Sequence, residues 1–173
     1  MKKIISLFKR DYEKTHKEFN AVVSGAEWVI LGEGVATRKF DGTCCMIKNG
    51  ILYKRYDCKK NSPPPHGFIP AQEPDPITGH WPGWIEVGNG NEDKWHREAF
   101  NNQPDGTYEL CGPKIQGNPE KFEKHTLVPH GKEMLEAPRT FYALKEWFKD
   151  KEIEGVVWHH PDGRMVKIKK KDF

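Results

Sequence analysis

Thr43-Cys44-Cys45-Met46-Ile47-Lys48-Asn49-Gly50-Ile51-Leu52-Tyr53 is the stretch that decides the fold. Asn-Gly between two apolar runs is the strongest short hairpin signal, because both residues accept the positive φ that a tight primed turn demands. Two antiparallel strands are therefore expected on either side of Asn49-Gly50. Upstream, Glu27 to Val35 reads as a strand broken by glycines, with Lys39 in a turn before the hairpin. Lys39 and Arg55, on the far arm, are then expected on neighbouring elements. Downstream, residues 61–90 carry Pro63, Pro64, Pro65, Pro70, Pro74, Pro76 and Pro82, which predicts a long shaped loop. Residues 91–101 predict a short helix with Trp95 and Ala99 on one face, and residues 107–111 a strand that ends at Gly112-Pro113. A second helix over 139–150 is predicted by Phe141, Leu144, Trp147 and Phe148 at helical spacing. Two strands follow, residues 155–159 and 164–169, joined at Pro161-Asp162-Gly163. This is an α+β pattern with antiparallel sheets and a few helices.

The chain has 173 residues, a length that suits one domain spanning 1–173, and neither a repeat nor a linker divides it. Only 36% of residues are hydrophobic and mean hydropathy is −0.82, yet six Trp and nine Phe set it apart from a disordered chain. A net charge of +3 is too small to declare a nucleic-acid binder, so any such argument rests on local clustering. Cys44, Cys45, Cys58 and Cys111 show no C-x-x-C pairing, and Cys44 and Cys45 face opposite sides of a strand, which argues against a zinc site. The basic start Met1-Lys2-Lys3 leads into no signal-peptide core, and no run approaches the ~18 apolar residues of a membrane span. A cytoplasmic protein with reduced thiols, no membrane partner and a monomeric state is expected.

Lys39-Phe40-Asp41-Gly42 and Met165-Val166-Lys167-Ile168-Lys169 carry the chemistry when taken together. A lysine nucleophile starts from a pKa of about 10.4, and a fall of about 3 units needs roughly 4 kcal/mol of differential interaction from burial and nearby cations. In a strand, Lys167 and Lys169 share a face about 7 Å apart, with Lys171 continuing it, which suits a phosphate and its leaving group. Glu154 enters an apolar strand, where a hard oxygen ligand for Mg²⁺ is one way to satisfy a carboxylate. Glu109, inside its own strand, suits a ribose hydroxyl or a structural salt bridge, and Arg55 a ribose or an RNA phosphate. Gly42 permits a tight turn beside the lysine, and Asp41 can orient amides or water. Taken alone, the tetrapeptide is explained by turn chemistry.

In chain order, Lys39-Phe40-Asp41-Gly42, Arg55, Tyr108-Glu109-Leu110, Glu154-Gly155-Val156-Val157 and Lys167-Ile168-Lys169 resemble the successive motifs of the covalent-lysine nucleotidyltransferases: RNA ligases, DNA ligases and mRNA capping enzymes. The strings from Ala36 to Cys45 and from Glu109 to Asn118 resemble in particular the compact ATP-dependent 5′-to-3′ RNA ligases of vertebrates and some viruses. The resemblance implies a single ATP-grasp-like adenylyltransferase domain without an OB-fold domain. It implies that Lys39 attacks the ATP α-phosphorus, that AMP passes to an RNA 5′-phosphate, and that a 3′-hydroxyl displaces AMP. Asp41, Lys167 and Lys169 join Lys39 in the implied catalytic set. The implied ATP-binding set is Thr37, Arg38, Lys39, Arg55, Glu109, Glu154, Val156, Lys167 and Lys169, with Glu154 holding Mg²⁺ or Mn²⁺. Val156 or Val157 is expected to wall the adenine, with its cover drawn from residues 125–130. Many RNA ligases place Glu before the nucleophile, whereas this chain has Arg38.

Two other readings remain at this point. A capping-type guanylyltransferase shares the motifs and would label with GTP instead of ATP. A non-catalytic RNA-binding module would use the Lys167–Lys171 strip to track phosphates and be indifferent to Lys39→Ala. Trp81 and Trp84, near His80 and Lys94, are candidates for stacking RNA bases, with packing inside the loop or core as the competing role.

Overall fold

Alternation of apolar and polar residues builds two separate cores in this chain. The computed structural model describes residues 1–173. The elements run β1 (Ile5–Ser6), β2 (Phe8–Arg10), β3 (Glu18–Val22), α1 (Glu27–Ile30), β4 (Val35–Lys39), β5 (Thr43–Lys48), β6 (Ile51–Cys58), β7 (Ile69–Pro70) and β8 (Trp81–Glu86). Then come α2 (Lys94–Ala99), β9 (Gly106–Cys111), β10 (Thr126–Pro129), α3 (Phe141–Trp147), β11 (Gly155–His159) and β12 (Met165–Lys169). The architecture is α+β with mostly antiparallel sheets and few helices, as the sequence predicts. No helix is long and apolar enough to cross a membrane.

The backbone divides into two compact units, one made of residues 1–3 and 41–130, the other of residues 4–40 and 131–173. In the first, all neighbours of the six-stranded sheet β10-β9-β5-β6-β8-β7 are antiparallel. The predicted hairpin joins β5 to β6: Asn49 (φ +53°) and Gly50 (φ +73°) form the turn, and both N–H groups donate to the Asp105 carboxylate at 2.7 and 3.1 Å. Cys45, Ile47, Leu52, Tyr108, Leu110 and Leu127 bury one face beneath α2 residue Ala99 and the half-buried Trp95 and Phe100.

The second unit holds a four-stranded sheet, β1-β12-β11-β4, with β1 parallel to β12 and the other pairs antiparallel. One face is apolar: Ala36, Val156, Trp158, Val166 and Ile168 pack against Phe141 and Leu144 of α3, Phe148 just after it, Trp28 and Val29 of α1, and Leu7 and Phe8. The outer edge of β4 is covered by residues 133–135, through Arg38 N–H to Glu133 O and Leu135 N–H to Ala36 O. The antiparallel ribbon β2-β3 belongs to the same unit.

Four sequence expectations need correction. Residues 27–30 form a helical turn instead of a strand, because Trp28 and Val29 are both buried and Arg139 reaches in to donate to the carbonyls of Val29, Glu33 and Gly34. Lys39 ends strand β4 instead of sitting in a turn, and β4 pairs with β11 while Arg55 lies on β6, paired with β5 and β8. Residues 81–86, expected as loop, form a full strand along β6. Pro82 is tolerated there because its carbonyl accepts from Ala71 N–H on the side away from β6, so its missing N–H removes no bond to β6.

Candidate active site

The polar face of the four-stranded sheet is set by strand register. Side chains alternate along each strand, so partners in register share a face. Lys39, Gly155 and Lys169 form one row across β4, β11 and β12, and Thr37, Val157 and Lys167 form the next. Three lysines thus converge on one face, while Ile168 and Val166 point into the core as the sequence predicts. The strip does not extend to Lys171: β12 stops at Lys169, and residues 170–172 turn into a 3-10 segment.

Glu154, immediately before β11, ties this face together. Its Oε2 accepts from Lys39 Nζ and its Oε1 from Lys169 Nζ at 2.6 Å, with the carboxylate side chain only 7% exposed. Burial opposes its charge, but Lys39 and Lys169 outweigh burial and hold the carboxyl below the usual range. Lys167 has no such partner: burial, then Lys169 and Lys39, pull its pKa down to about 8. Gly155 sits between the two lysines because a Cβ there would strike the Ile168 carbonyl and the Lys169 Cα. Thr37 is buried in the next row; its hydroxyl donates to Val157 O at 3.2 Å and so accepts from His159 Nε2 at 3.0 Å.

The remaining predicted residues separate cleanly. Arg38 lies on the opposite face from Lys39, stacked over Phe40 at 4.5 Å and bonded to Glu133 at 3.3 Å. Val156 is fully buried in the apolar core, so of the two valines only Val157 shares the lysine face. In the other unit, Asp41 N–H donates to Glu120 Oε1 at 2.7 Å. Gly42 is required by close packing instead of by turn geometry, since a Cβ would meet Leu110 O and Glu109 Cγ. Glu109 accepts from His130 Nε2 at 2.9 Å. Arg55 lies over the Trp84 ring at 4.8 Å and donates to Met1 O at 2.7 Å. Trp84 is a core residue, 2% exposed, and Trp81 is held by Gln72 O and Phe68, so packing explains both tryptophans.

Sequence reading left open which residue of 125–130 matters. His125 is bound to Glu98 and Lys114 N–H and stacked on Trp95, a structural role, whereas His130 faces Glu109. The Thr37–His159 bond was also missed, because nothing local in the sequence links positions 122 residues apart.

A divalent metal on Glu154 is testable against this arrangement. Both carboxylate oxygens already face ammonium groups, and three lysines surround it, so a bare cation is disfavoured. A cation that arrives with phosphate oxygens around it fits, because Mg²⁺ is usually held by one or two carboxylates together with substrate phosphates and water.

Similarity to known proteins adds to the geometry. The family model described as RNA ligase 1 matches residues 99–173, a stretch that includes Glu109, Glu154, Lys167 and Lys169. The chain is 30% identical to RNA ligase 1 of Mus musculus, over 78% of this chain and 65% of that protein. It is 27% identical to RNA ligase 1 of Pongo abelii, over 89% of this chain and 69% of that protein, and 29% identical to RNA ligase 1 of Danio rerio, over 77% and 65%. The chain spans about two-thirds of the length of these relatives. The resemblance to RNA ligases that the motifs carry is borne out.

Proposed function

We propose that this chain is an ATP-dependent RNA ligase that seals 5′-phosphate and 3′-hydroxyl ends through a covalent Lys39–AMP intermediate. The observation that carries this reading is the Lys39–Gly155–Lys169 row with Lys167 beside it and Glu154 bridging its two ends. A triphosphate entering this face meets three cationic groups, with no side chain on Gly155 to block its approach. Lys167 and Lys169 neutralise the α-phosphate, an interaction that strengthens as charge builds in transfer. The Lys39–Glu154 pair separates, Lys39 loses its proton to solvent, and its lone pair forms the N–P bond as the Pα–O bond to pyrophosphate breaks. A divalent metal held by Glu154 would supply charge neutralisation of the leaving phosphates.

In the later steps, an RNA 5′-phosphate oxygen displaces Lys39 from phosphorus, and a 3′-hydroxyl then displaces AMP. Arg55 and Glu109 are the proposed ribose contacts, Thr37 fixes the β4–β11 rows, and Val157 is proposed as the apolar wall for the base. Arg38, facing away, acts through the backbone of β4.

Incubation with ATP and Mg²⁺ or Mn²⁺ is expected to add one AMP mass to the intact protein through an acid-labile phosphoramidate, absent in Lys39→Ala. An unmodified protein after all nucleotide and metal combinations overturns the proposal; labelling by GTP alone replaces it with guanylyl transfer.

A further inference from the structure

In the six-stranded sheet, Cys44 on β5 stands in register with Glu109 on β9, and His130 directly follows β10, the next strand along. The His130 N–H donates to Thr107 O at 3.1 Å, which fixes its backbone against β9. One donor atom from each of Cys44, Glu109 and His130 lies within 4.8 Å of the other two. Glu109 is buried and the other two are half-buried, so the group is both shielded and reachable from solvent. His130 Nε2 faces Glu109, while Nδ1 is buried with no hydrogen-bond partner. No second bond therefore opposes the tautomer that leaves Nε2 with a lone pair for a metal.

We propose that Cys44, Glu109 and His130 form a binding site for a thiophilic divalent cation of the zinc class. A thiolate, an imidazole and a carboxylate are the zinc donor set, and three protein ligands leave a fourth position for water. The sulfur ligand selects against Mg²⁺ and Ca²⁺, which prefer oxygen donors. Binding releases the Cys44 thiol proton and replaces the His130–Glu109 hydrogen bond with two metal bonds. Metal binding here does not depend on the ligase reading.

The test is titration of the metal-free full chain with Co²⁺, followed by displacement with Zn²⁺. The wild-type protein is expected to bind one Co²⁺ with a thiolate-to-cobalt charge-transfer band that Zn²⁺ removes. Cys44→Ser is expected to lose the band and to weaken binding at least tenfold, and His130→Gln to weaken it similarly with its circular dichroism unchanged. Cys58→Ser, outside the group, is expected to retain wild-type binding. Absence of the band in the wild type, or its persistence in Cys44→Ser, overturns the site.

Discussion

Lys167 stands beside two other lysines without the carboxylate partner that each of them has. Its pKa near 8, against the ordinary value of about 10.4, means the folded chain works against its own charge there. Below about pH 8 both folded and unfolded chains hold this proton and the fold carries the full penalty. As pH rises from about 8 towards 10.4, only the unfolded chain keeps it, and the penalty disappears. Lys167→Met is therefore expected to stabilise the protein at pH 7 by about 1 kcal/mol, the usual trade between site strain and stability. That gain should shrink in thermal melts as pH rises towards 10, and the same variant should adenylylate at least tenfold more slowly. A stability difference independent of pH would place the strain in packing instead of charge.

At the scale of elements, β11 organises both the core and the candidate site: Val156 and Trp158 pack into the apolar core, while Gly155 and Val157 lie on the lysine face. Gly155→Ala places a methyl group against the backbone of β12, so it must push the strand that carries Lys167 and Lys169. The expected cost is about 1–3 kcal/mol in denaturant unfolding, the range for overpacked sites, with adenylylation falling further than stability alone explains. Trp158→Ala, which touches only the apolar face, should cost about 3–5 kcal/mol and leave the adenylylation rate of the folded fraction near that of the wild type. Elements with a local cause were legible in sequence: the Asn49-Gly50 hairpin, the segment from Phe141, and β11 with β12. The helical turn at Glu27–Ile30 was not, because Arg139, more than a hundred residues away, binds its Val29 carbonyl and those of Glu33 and Gly34 just after it. Nor was strand β8, because a proline is compatible with a sheet only on the side where no donor is needed, and sequence does not reveal the side.

At the scale of the whole chain, the lysines of the candidate site were legible as residues but not as an arrangement. Spacing within β12 put Lys167 and Lys169 on one face; that Glu154 bridges Lys39 and Lys169 depends on sheet order, which no local pattern encodes. The Cys44–Glu109–His130 group was hidden for the same reason, since its members come from separate strand regions and form no short motif. The chain-wide distribution of roles also yields a test of the pathway. In the proposed pathway Lys39 is needed to place AMP on the RNA, whereas Lys167 and Lys169 would contact the phosphate in every step. RNA supplied with a pre-adenylylated 5′ end already carries the phosphoanhydride for which the Lys39–AMP intermediate would otherwise supply the AMP. Lys39→Ala should therefore fail to join 5′-phosphate RNA yet seal the pre-adenylylated strand without ATP, measured by gel conversion of a labelled 3′-hydroxyl acceptor. Lys169→Ala should fail with both substrates, because removing a cation from the transferred phosphate costs transition-state stabilisation whichever group departs. Equal failure of Lys39→Ala and Lys169→Ala on the pre-adenylylated strand would mean that Lys39 also supports the sealing step, and the division of labour along the lysine face would have to be redrawn.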